Sequence, residues 1–166
     1  MIRNAAQLAL FAGTITLATL NLGSAQTPAA PQSAAPQVYQ PSLSDLMTAT
    51  IQPRHIKLGL AGQEKNWPHA AYELGNLKGS FDRAAHAWPI YRTTNMADLI
   101  AATTKAPMDA VAEAIKAGDA GKFNDAYEAL TETCNACHQS TDHGLVVMRV
   151  PKVSPYPDQD FRPMKP

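Results

Sequence analysis

The residues best equipped for chemistry stand together at Cys134-Asn135-Ala136-Cys137-His138. Two thiols separated by two residues, with a histidine directly after the second, have the C-x-x-C-H spacing of a covalently attached c-type haem. Each thiol can add to a vinyl group on one edge of the porphyrin, and the histidine that follows is then held under the iron as its proximal ligand. These are the only two cysteines in the chain, so no other thiol competes for the role. The same residue types also admit a disulfide between Cys134 and Cys137, a zinc site completed by His138 and His143, and a thioredoxin-like dithiol. The dithiol wants a βαβ surround, which this sequence lacks. One covalent haem c, with Cys134 and Cys137 binding it and His138 on the metal, is the reading the spacing favours.

The N-terminus is consistent with it. Arg3 is the lone charge before an apolar run from about Leu8 to Leu22, and Gly23-Ser24-Ala25 follows. This is the pattern of a secretory signal peptide over residues 1–25, cleaved after Ala25, which predicts export to the periplasm. A transmembrane anchor is the alternative, but the run is short for a bilayer and is broken by Asn21 and Gly23. Haem c is attached outside the bacterial cytoplasm, so export and C-x-x-C-H support each other.

Removing 25 of the 166 residues leaves 141, enough for one domain. The whole chain has 14 basic and 14 acidic residues, and the signal takes only Arg3, so 13 face 14 and the mature net charge is −1. That balance gives no argument for an anionic membrane surface as a partner, and no nucleic acid is expected. Residues 26–42 are mainly Ala, Pro, Gln and Ser and read as a flexible leader.

The elements that must position the motif read as helices. Ser42 or Ser44 can cap a first helix whose apolar face runs from Leu46 and Met47 through Ile51, Ile56, Leu58 and Leu60. Pro53 predicts a kink or restart within it, and Gly62 suggests its end. Asn66 caps a second helix, with Trp67-Pro68 in its first turn and apolar residues near period 3.6 to about Ala87. Trp88 to Tyr91 forms a turn, with no β-hairpin signal. A third helical region covers about Met96 to Ala117, with Pro107 breaking it or starting its second half. Lys122 to His138 is the fourth helix. Four helices with short connections predict an all-α, up-down antiparallel four-helix bundle over residues 43–138. Residues 139–166 form an irregular C-terminal tail, expected to pack back on the bundle or the haem edge.

A helical chain with C-x-x-C-H near the end of its last helix resembles cytochrome c′ and its low-spin relatives, the class II c-type cytochromes. The resemblance covers about Leu43 to His138 and is carried by Cys134, Cys137 and His138; the long leader, the tail and Pro53 mark a divergent member. It implies that the sixth position of the iron faces the first helix, and antiparallel topology also brings that helix's N-terminal half beside the motif. Three residues stand there. His55 offers an imidazole as distal ligand, Met47 offers a thioether as the alternative, and Ile51 would leave the iron five-coordinate. His143 and Met148 are downstream alternatives. Arg54 is a candidate partner for a haem propionate. Trp67, Tyr72 and Tyr127 read as packing residues near the porphyrin, and His69 and His86 as solvated helix residues.

The site leaves the function to be argued. A saturated iron predicts one-electron transfer with periplasmic redox partner proteins. An open distal face predicts a cytochrome c′-like, five-coordinate protein binding NO or CO. Peroxidase chemistry would want Arg54 and His55 over one open face, yet adjacent helix residues point about 100° apart, so no enzyme is expected. A homodimer is a further partner that the resemblance admits.

Overall fold

The computed structural model describes residues 39–165. The expected signal peptide and most of the leader lie outside them. The described chain is mainly helical: α1 (Leu43–Leu46), a π-helical segment (Met47–Ile51), α2 (Gln52–Gln63), α3 (Trp67–Ala87), α4 (Met96–Ala117) and α5 (Ala120–Ser140). A two-residue pair, β1 (Ile90–Tyr91) and β2 (Thr94–Asn95), joins α3 to α4.

Side chains fix where the helices start. Ser42 and Asp45 form a reciprocal capping box, and Asn66, Asn95 and Asp119 each accept the backbone N–H three residues on. Gly118, with φ 63°, closes α4 in the left-handed conformation that glycine adopts without cost.

Pro53 has a specific consequence. It sits near the start of α2, where its missing N–H is needed least, and the π segment immediately precedes it, with the Gln52 N–H reaching back to the Met47 carbonyl. Residues four apart drift about 40° around an α-helix. The wider π turn offsets part of that drift, so Met47, Ile51 and His55 all line the same cleft.

Pro107 does not break its helix. α4 runs through it unbroken, with only the bond to the Thr103 carbonyl necessarily lost. Packing on both neighbours, α3 and α5, outweighs that one bond. The turn after α3 is also more ordered than its sequence suggests: Ile90 pairs with Asn95 and Tyr91 with Thr94. The tight turn takes φ 55° at Arg92, a residue that gives no glycine or asparagine signal for it.

α2 packs on α3 and α5, α3 on α4, and α4 on α5. The core between them includes Leu58, Leu77, Val111, Phe123, Tyr127 and Leu130, all buried. Gly62 stands one residue before the end of α2, as expected, and is also a close approach, because a Cβ there would overlap the Phe123 ring. The C-terminal segment lies against the helices: Phe161 is buried and stacks on His69 at 5.3 Å, Asn66 donates to the Phe161 and Arg162 carbonyls, and Lys57 sits over the Tyr156 ring. His69 is therefore covered by this segment rather than solvated.

Candidate functional site

α5 carries the motif in its last two turns. Helical spacing of three and four puts Cys134, Cys137 and His138 on one side, and all three line a mainly apolar cleft of about 190 Å3. Across it stand Leu43, Met47, Ile51 and His55; Leu77 and Phe81 come from α3, and Met96 and Ile100 from α4. Tyr91, His143, Val146 and Met148 complete the wall.

Both cysteines are free thiols. Burial, with the neighbouring Cys137 charge adding, pushes the Cys134 thiol up to about 11, and burial raises Cys137 as well. A reactive redox dithiol needs the opposite shift, so this surround does not suit one. Among the described residues, no group of three or more His, Cys, Asp or Glu is placed to hold a metal ion.

His138 and His55 meet the cleft in different states. His138 Nδ1 lies 2.7 Å from the Val146 carbonyl oxygen, which can only accept, so Nδ1 carries the proton. In the neutral ring Nε2 is then a bare lone pair. A histidine that ligates a metal is usually oriented in this way, by giving its other N–H to a carbonyl or carboxylate.

His55 is 1 % exposed. Its Nε2 is 3.0 Å from Thr131 Oγ1, and its Nδ1 is 3.1 Å from the Tyr127 hydroxyl, which donates its one proton to the His55 carbonyl at 2.7 Å and so accepts from Nδ1. The ring stacks on Tyr127 at 4.8 Å. Burial lowers its pKa to about 4, so it is neutral at pH 7. Both nitrogens are engaged, and ligation would require Nε2 to leave Thr131.

The structure brings together Cys134, Cys137, His138, Met47, His55, Ile51, His143 and Met148. Met47 is half-buried at the start of the π segment. His143 resembles His138 in giving an Nδ1 proton to a carbonyl, that of Thr141 at 2.6 Å, but it belongs to the turn that follows the motif. Arg54 is not brought to the cleft. It leaves α2 on another side from His55, its guanidinium 3.7 Å from the buried carboxylate of Glu73, which argues against the propionate role. Trp67 and Tyr72 are also absent from the cleft wall: Trp67 packs on Phe123, and Tyr72 is exposed. Tyr127 instead holds His55.

Two polar arrangements at the site were not evident from the sequence. Thr131 and Tyr127 satisfy His55, and the Val146 carbonyl orients His138. The i, i+4 spacing of Tyr127 and Thr131 on the motif helix was the available signal for the first; nothing signalled the second. No family model, curated protein or solved structure matches the chain.

Proposed function

We propose that this protein is a periplasmic c-type cytochrome that transfers single electrons through one covalent haem c. The observation that carries the reading is His138 with its Nδ1 proton committed to Val146, its Nε2 free, and Cys134 and Cys137 beside it on the same cleft wall. Those residues fit the group. The thiols would hold it through two thioether bonds, His138 would be the proximal ligand, and the apolar wall would exclude water from the porphyrin faces. A porphyrin brings its own four nitrogens, so a protein supplying only axial ligands needs no larger donor cluster. The bound group would supply a reversible one-electron couple.

Met47 is our choice of distal ligand. Its thioether has no competing partner, whereas each His55 nitrogen already has one. A thioether opposite an imidazole raises the potential, and fixed axial ligation on both sides suits electron transfer. In this reading the four long helices form an up-down bundle, with the π segment aiming Met47 across at His138.

An optical spectrum of protein matured with the haem-attachment machinery tests the reading, taken ferric, ferrous and ferrous with carbon monoxide. We expect sharp low-spin bands indifferent to carbon monoxide, and haem that stays with the protein in acidified organic solvent. In Met47→Ala the ferrous form should bind carbon monoxide. A wild-type spectrum that shifts with carbon monoxide would replace electron transfer with gas binding. No Soret band would sink the haem assignment.

A further inference from the structure

We propose that Asn135, inside the motif, is a positioning residue for His138, a role that rests on the haem reading above. Its carboxamide grips one residue of the following segment at two points. Asn135 Nδ2 donates to the Met148 carbonyl at 3.1 Å, and Asn135 Oδ1 accepts the Met148 N–H at 2.7 Å. Two further bonds close the turn: His143 N–H to the His138 carbonyl at 2.7 Å, and Val146 N–H to the His143 carbonyl at 2.9 Å. The Val146 carbonyl is thereby delivered to His138 Nδ1.

Packing holds this segment only in part, through the half-buried Met148 and Val150. Leu145 is 88 % exposed and Val147 61 % exposed, so their side chains bury too little surface to fix it. The two bonds from Asn135 therefore help to set where the Val146 carbonyl lies. They also account for the residue itself, since asparagine is a poor helix former and Asn135 stands within α5.

The consequence is electronic. A carbonyl on the Nδ1 proton raises the basicity of Nε2, and a more basic axial imidazole favours the ferric state. Releasing the segment weakens that bond and moves the couple toward ferrous. Partners of this kind are typically worth 10- to 100-fold in metal affinity or activity, and the low end is carried over to the redox equilibrium.

The test uses the haem-loaded full chain as wild type, Asn135→Ala, Asn135→Asp and Gln63→Ala. It reads haem retention in acidified organic solvent, the one-electron potential, and solvent exchange of the His138 Nδ1 proton by NMR. Asn135→Ala should shift the redox equilibrium about tenfold toward ferrous, about 59 mV upward for one electron, and should speed the exchange at least tenfold. Asn135→Asp keeps the acceptor for the Met148 N–H but loses the donor, so both shifts should be intermediate; this variant carries the test if the alanine protein does not fold. Gln63→Ala removes a 3.0 Å bond to the Pro151 carbonyl, further along the same segment, and should change neither readout. Wild-type potential and exchange in both Asn135 variants would overturn the positioning role alone. Shifts in Gln63→Ala as large as those in Asn135→Ala would overturn it too, since general loosening would then explain them. A wild-type protein without covalent haem would overturn the haem reading and this role together.

Discussion

His138 and His55 line the same cleft with the same side chain, and their surroundings prepare them for opposite work. His138 gives one proton to a backbone carbonyl and keeps its other nitrogen free. His55 has partners on both nitrogens and almost no exposure. Lining a cleft therefore does not by itself fit a histidine to bind a metal. An uncommitted lone pair does, together with an N–H partner that sets the ring's direction.

The sharpest way to break the comparison is to delete each histidine in haem-loaded protein. His138→Ala should abolish the low-spin spectrum, whereas His55→Gln should leave the band positions where they are in wild type. An altered spectrum in His55→Gln would make His55 the distal ligand and remove Met47 from that place.

The second test uses acid. Burial lowers the His55 pKa from 6.5 to about 4 in the folded protein. Between those values the unfolded chain binds a proton that the folded one refuses, so stability rises with pH across that window. At 1.36 kcal/mol per unit, acidification from pH 7 to pH 4 should remove about 3 kcal/mol through this group. Denaturant unfolding at the two pH values measures it, and His55→Gln should lose that part of the slope. An equal slope in both proteins would mean that His55 is already charged in the native state.

A third test reaches His55 through the ring it leans on. A Cβ on Gly59 would lie 2.5 Å from the Tyr127 hydroxyl oxygen. Gly59→Ala must then displace the ring that stacks on His55, and overpacking of this kind costs about 1–3 kcal/mol. Urea unfolding should show the loss. A variant as stable as wild type would mean that Tyr127 has room to move.

These contrasts mark how far the sequence could be read. The motif, the caps at Ser42, Asn66 and the start of α4, and the span of α3 are local signals, and the residues that carry them act within a few positions of themselves. What stayed hidden depends on contacts distant in the chain. Gly62 marks the end of α2, but nothing local shows that it also lets Phe123 approach. Pro107 reads as a break until helices pack on both sides of α4. Arg54 and His55 differ by one position, yet one meets Glu73 on α3 and the other Thr131 on α5. The alignment of His55 with Met47 and Ile51 on one cleft depends on the π turn, which has no sequence signature of its own beyond Pro53.

If His55 stays off the iron as proposed, the smallest expected effect separates two causes for it. Thr131→Val is nearly isosteric and removes only the hydroxyl facing Nε2, while the Tyr127 carbonyl that Thr131 also meets keeps its helical bond. Leaving a buried ring nitrogen without its partner costs about 1–3 kcal/mol, and the low end applies because the valine methyl fills the same space. If the hydrogen bond alone restrains His55, freeing Nε2 should let it compete with Met47, and the potential should fall toward that of a two-imidazole couple. We expect instead an unchanged spectrum with stability lower by about 1 kcal/mol. Stacking on Tyr127, the Nδ1 contact and burial all survive the substitution, so the ring has no reason to turn. A lowered potential in Thr131→Val would show that one hydroxyl, rather than the packing around the ring, divides the two histidines.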